Sequence, residues 1–298
     1  TLDTALLWYI DFQQPAMGSL WVIVLQRLLL GTTFGLAEMV LASTLIIDTC
    51  ESFQRTEANY IAGWFSRFAL PLGPLAGLLL YGAQGFQGVV LGAAGCSLAA
   101  LILIKMVTFP FRTPSDNVQK VSLDRFLLPH GMLLFVNLLM VSLAAGLLLS
   151  LPLGTMFHAL TAVGFLLAIA AQHFVFPDAE LKSEIVSGQI LIIAALLIML
   201  SYPTSSIAPV LFGLGIGLVA SRFLLFFIKL SRHCQRGTSQ STYFLAWETG
   251  IAIGIGTGIA AYYGHPQGVL YTALLLTVAG LALYHLLTHR WFLNNKNR

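Results

Sequence analysis

The sequence predicts an all-α fold, a polytopic transmembrane helical bundle, and three observations lead there. Hydrophobic residues make up 57% of the 298, and about two thirds once glycine is added; soluble domains run to roughly 45–50% on the same basis. Charged residues are only 9%, too few to cover a water-facing surface, where roughly 25% is ordinary. The apolar residues also fall in runs long enough to cross a bilayer, which takes about 20 residues as a helix. The net charge of +3 is scattered rather than gathered on one face, which points away from nucleic acid. Cys50, Cys96 and Cys234 show no CxxC spacing and no His at zinc-ligand distance, so no disulfide framework, metal site or cofactor is expected.

The elements follow in order. Residues 4–10 are apolar but too short to cross, and read as the end of a helix. Nine complete spans come next, at 20–47, 56–81, 86–107, 127–149, 153–175, 185–202, 206–229, 239–262 and 267–288, separated by polar or Pro/Gly-rich breaks. Lys and Arg fix the orientation. Twelve of the fifteen fall in one set of loops, at the span ends beside them (Lys105 and Lys229) or in the C-terminal tail, none falls in the opposite loops, and Arg27, Arg67 and Arg222 lie deeper within spans. The C-terminus is therefore expected on the cytoplasmic side of an inner membrane.

The stretch 108–126, with Pro110, Pro114 and mixed charge, reads as a cytoplasmic linker. It divides residues 1–107, the remainder of an N-terminal bundle, from a C-terminal six-helix bundle at 127–298. Three complete spans precede it and six follow, and the sequence opens on Thr1 without an initiator Met. The expectation is that the chain begins within a longer protein.

An internal repeat relates 54–77 to 235–258 at a constant offset. Gln54 matches Gln235, Arg55 matches Arg236, Gly73 matches Gly254 and Gly77 matches Gly258. Arg67 and Glu248 stand at an equivalent depth in the two copies. Both copies run in the same direction, as in two halves of one transporter.

These residues resemble the major facilitator superfamily. Leu25-Gln26-Arg27 through Gly31 is similar to the Arg-x-x-x-Gly motif of that family's fourth helix. Gly73-Pro74-Leu75-Ala76-Gly77 resembles the Gly-Pro-x-x-Gly motif of its fifth helix, which is associated with drug/proton antiporters. Arg236-Gly237-Thr238, Tyr243, Trp247-Glu248 and Gly250 to Gly258 are similar to the eleventh. The resemblance implies helices four to twelve of a twelve-helix transporter.

Ionisable groups inside spans are costly and mark pathways or internal pairs. Arg27, Glu38, Arg67, Arg222 and Glu248 are the five candidates for the substrate and proton pathway. Arg27 and Glu38, eleven residues apart, share a helix face with Gly31 and Gly35 between them. That stripe reads as a cavity wall or as a close-packed seam. Glu248 reads as a proton-coupling carboxyl or as the partner of Arg67 or Arg222. Gly31, Gly35, Gly73, Pro74, Gly77, Gly254 and Gly258 are expected at helix-packing or gating positions. Asn137, His158, Tyr60, Thr242 and Trp247 could reach substrate but more simply satisfy interhelical hydrogen bonds. The acidic group Asp178-Ala179-Glu180 with Glu184 is expected in a solvated cytoplasmic loop.

Together these readings predict a monomeric secondary transporter of a small solute, coupled to protons, with export favoured. A membrane sensor or binding protein derived from a transporter fold is the alternative. No His-rich box or Ser/His/Asp set suggests an enzyme.

Overall fold

The computed structural model describes residues 20–41, 45–51, 54–107, 126–176, 180–232 and 235–296. The tail at 4–10, the linker up to residue 125, Asp178, Ala179 and Cys234 lie outside the described residues. Within them the chain is helical and holds no strand. Among the described residues eight helices are long and apolar enough to cross a membrane.

Helix α1 spans Leu20–Val40, the single turn α2 spans Ile46–Thr49, and α3 spans Arg55–Met106. At 52 residues α3 would measure about 78 Å if straight, more than twice the roughly 30 Å hydrocarbon layer. It is interrupted at Gly85, where φ is +66° and ψ is −161°, a conformation essentially reserved for glycine. The interruption adjoins the expected break between spans 56–81 and 86–107. Pro71 and Pro74 stay within helical backbone.

A short 3₁₀ turn at Pro129–Gly131 leads into α4 (Met132–Leu149). There follow α5 (Thr155–Phe174), α6 (Leu181–Ser201), α7 (Ile207–Leu230), α8 (Arg236–Ala261) and α9 (Pro266–Leu283). A π-helical turn at Tyr284–Thr288 then joins α9 to α10 (His289–Asn295). Helix α7 is central, running along α5 and α6 and also touching α3 and α8. Helix α4 lies along α8, and α9 packs on α4 and α6.

Lipid offers apolar side chains as good an environment as another helix does, so close backbone approach drives packing in a membrane. Helix α7 presents Gly213, Gly217 and Ser221, at i, i+4 and i+8, to α5. A Cβ on Gly217 would sit 2.6 Å from the Ala168 Cβ, and Ser221 accepts a hydrogen bond from the Gln172 amide. On another face, a Cβ on Gly215 would stand 2.5 Å from the Gly188 carbonyl oxygen of α6. Helix α8 lays Gly250, Gly254 and Gly258 against α4, and a Cβ on Gly254 would stand 2.6 Å from the Leu147 amide nitrogen.

At Gly31, Gly35, Gly73 and Gly77, expected at packing or gating positions, an added Cβ would meet nothing within 4 Å among the described residues. Helix α1 touches little beyond α8, and the outer face of α3 carries exposed apolar groups such as Phe65 and Leu79. Small residues there open a surface rather than close a seam. The repeat-related pairs Gly73/Gly254 and Gly77/Gly258 therefore do different work in the two copies. The expectation for Glu184 fails: it lies in the first turn of α6 with 0% exposure.

Candidate functional site

Helices α1 and α8 line a groove of about 670 Å³. Helix α8 contributes Ser241, Phe244, Glu248 and Ala252, which repeat at i, i+3, i+7 and i+11 and so share one face. The glycine seam described above occupies a different face of the same helix. Helix α1 contributes Gly31, Gly35 and Glu38, at i, i+4 and i+7, together with Phe34; Phe126 closes one side. Glycine on this stripe leaves the volume open in front of Glu38.

Among the described residues no basic side chain lines the groove. Its two carboxylates, Glu38 and Glu248, lie within electrostatic range of each other. Like charges in a space walled by hydrocarbon repel strongly, and a proton or another cation relieves the repulsion. The Ser66 hydroxyl of α3 donates to Glu38 Oε1 at 3.5 Å. Behind Glu38 a smaller cavity of about 50 Å³ is lined by Ala62, Ser66, Gln240 and Phe244. Thr32 turns its hydroxyl back on its own helix, donating to the Leu28 carbonyl at 2.9 Å.

Arg67 is the largest fully buried side chain, at 1% exposure. Its Nε donates to the Gly63 carbonyl at 2.7 Å, and the guanidinium lies over Trp64 at 5.0 Å and over Tyr243 at 6.0 Å. Cation–π contact with two aromatic rings stabilises the charge, and no carboxylate among the described residues pairs with it. Glu248 pairs with neither Arg67 nor Arg222. Among the described residues the one ion pair is Arg222 with Glu184. It joins α7 to α6, and Gln172 of α5 adds a hydrogen bond to Glu184 Oε2 at 3.0 Å. Arg222 thus sits in a structural cluster rather than on the groove.

Arg27 is exposed on α1 and does not line the groove that Gly31, Gly35 and Glu38 share. Asn137 is buried on α4 and donates to the Gly280 carbonyl of α9 at 3.0 Å. Thr242 accepts the Leu128 amide hydrogen at 2.8 Å, His158 packs edge-on to Phe157, and Trp247 stacks on Tyr243. The side chain of Tyr60 lies outside the described set.

Sequence reasoning passed over Ser66, Gln240, Ser241 and Phe244. The signal for the last two was the helical register they share with Glu248; nothing local marks Ser66 or Gln240. A second cavity of about 870 Å³ lies between α3 and α5, walled by Trp64, Phe68, Leu72 and Leu166 and bearing Gln172 and His173. It has no carboxylate and suits hydrocarbon rather than ion exchange. No protein-family model matches the chain, and no curated protein matches it.

Proposed function

We propose that the chain acts as a secondary transporter, carrying a small solute across the bacterial inner membrane by alternating access. Protons supply the coupling and export is the favoured direction, in the manner of the major facilitator superfamily that its motifs resemble. One observation carries this reading: Glu38 and Glu248 share a groove between α1, which precedes the expected linker at 108–126, and α8, which follows it. A coupled carrier needs a titrating group whose access changes as two bodies move. A carboxylate pair whose members belong to the two different bodies meets that need. The sparse packing of α1 on α8 lets the groove open without breaking a core.

The test uses the chain reconstituted in vesicles with a trapped pH-sensitive dye and a panel of small solutes. Wild type should move protons when a transported solute is added, and Glu248→Gln should slow that movement at least tenfold. Solute flux with unchanged proton movement in Glu248→Gln would refute coupling through this residue. Arg27→Ala, whose side chain stands off the groove, should keep the wild-type solute affinity.

A further inference from the structure

We propose that an anionic phospholipid binds where α6 begins and where α7 and α10 finish, its phosphate held by Lys182, Lys229 and Lys296. The site lies apart from the groove and does not depend on the transport reading. Helix direction is the first argument. Helices α6 and α7 run along each other, joined by the short connection at 202–206 and tied by Arg222 to Glu184. The first turn of α6, which carries Lys182, therefore stands beside the last turns of α7, which carry Lys229. Helix α10 reaches the same end through its packing: Phe292 stacks on Phe226 of α7, with ring centroids 4.1 Å apart. Lys229 follows Phe226 by three residues and Lys296 follows Phe292 by four. Each lysine thus stands one turn beyond its ring, on the same side of its helix.

Charge is the second argument. Lys229 lies within electrostatic range of Lys296, and His289 within range of Lys182, His285 and Lys296. Basic groups from α6, α7, the π-helical turn and α10 thus converge on one place. Among the described residues none of the three lysines has a carboxylate in an ion pair. Glu184 is taken by Arg222, which leaves Glu180, within range of His289, as the nearby counter-charge. Gathered positive charges repel, and an anion shared between them relieves the repulsion. A basic pocket between the ends of transmembrane helices is the arrangement that draws anionic headgroups.

The surroundings are the third argument, and they favour a lipid over a free anion. Leu286, Leu287 and Leu293 are exposed on the stretch of chain that ends at Lys296, and an acyl chain covers such side chains where a soluble phosphate leaves them bare. Trp291 of the same helix packs partly buried against the His130 ring, with centroids 5.4 Å apart. Indole rings collect at the level of the headgroups, the depth at which a lipid phosphate meets the lysines.

The experiment uses the whole chain in phosphatidylcholine vesicles and follows tryptophan fluorescence. Trp291 is isolated as the difference between the wild type and Trp291→Phe. The quenchers are phosphatidylglycerol and phosphatidylcholine carrying the same brominated acyl chain, each titrated into unlabelled phosphatidylcholine. Wild type should favour phosphatidylglycerol over phosphatidylcholine by about tenfold or more. Lys229→Gln and Lys296→Gln should each lower that preference about fivefold, since one lysine near an anionic headgroup contributes about that factor. The double variant should show almost no preference, whereas Lys229→Arg with Lys296→Arg keeps it. Quenching by brominated phosphatidylcholine should be unchanged in the double variant, which shows that Trp291 keeps its place in the membrane. Arg290→Gln removes a charge from the same helix but off the face shared by His289 and Lys296, and should lower the preference less than twofold.

Equal quenching by the two lipids in the wild type would overturn the proposal. An Arg290→Gln effect as large as that of Lys296→Gln would also overturn it, because the attraction would then belong to the whole surface rather than to this cluster. Millimolar glycerol 3-phosphate that relieves the quenching by brominated phosphatidylglycerol would show a site for a free anion and would sink the lipid assignment.

Discussion

Replacing Arg222 by Met strands the Glu184 carboxylate at the junction of α5, α6 and α7. In the wild type Arg222 approaches both carboxylate oxygens, Nη2 toward Oε1 and Nε toward Oε2, and the side chains are 14% and 0% exposed. Removing one partner of a buried pair costs about 3–5 kcal/mol. Adding Glu184→Gln should recover most of it, because a neutral amide needs no counter-charge and can still bond Gln172. Glu184→Gln alone should cost less, about 1–2 kcal/mol, since Arg222 is partly exposed and its long side chain can extend toward a polar surface. The assay is reversible unfolding in mixed micelles of rising dodecyl sulfate fraction, followed by circular dichroism. A single-variant loss under about 1 kcal/mol, or a double variant no better than the single, would refute this account of the cluster.

Gly254→Val should cost about 1–3 kcal/mol in the same unfolding assay, because its neighbours on α4 are backbone atoms that cannot rotate away. Gly31→Ala, facing open space, should cost nothing and raise stability by up to about 1 kcal/mol through helix propensity. Gly85→Ala should cost about 1–3 kcal/mol, because alanine is strained at a φ of +66°; a cysteine pair flanking the interruption, read by spin-label distance, should report a change of bend. Asn137→Leu should cost about 1–2 kcal/mol by removing the donor to Gly280, checked by the same titration.

The positions of the helices were legible because they follow from length and hydropathy. The six spans expected after residue 126 each meet one long helix, and the break at 82–85 adjoins Gly85. Which glycines pack was not legible. Gly73 and Gly254 match in the repeat, yet one faces open space and the other an α4 backbone. Glycine permits close approach, but only a neighbour at the right place uses it. The charges divided in the same way. Their presence in spans marked Arg67, Arg222 and Glu248 as special, whereas the pairing of Arg222 with Glu184 joins residues far apart in sequence.

What the sequence determined alone is everything that depends on one segment at a time: which stretches form helices apolar enough for a bilayer, where Lys and Arg cluster, and which charges fall inside spans. The tertiary structure decided how those charges combine. It placed Glu38 and Glu248 in one groove, tied Glu184 to Arg222, and buried Arg67 between two aromatic rings. The physical reason is that hydropathy is a property of a segment, whereas the energy of an ionisable group in a low-dielectric interior is set by whatever side chain faces it across the helix interface.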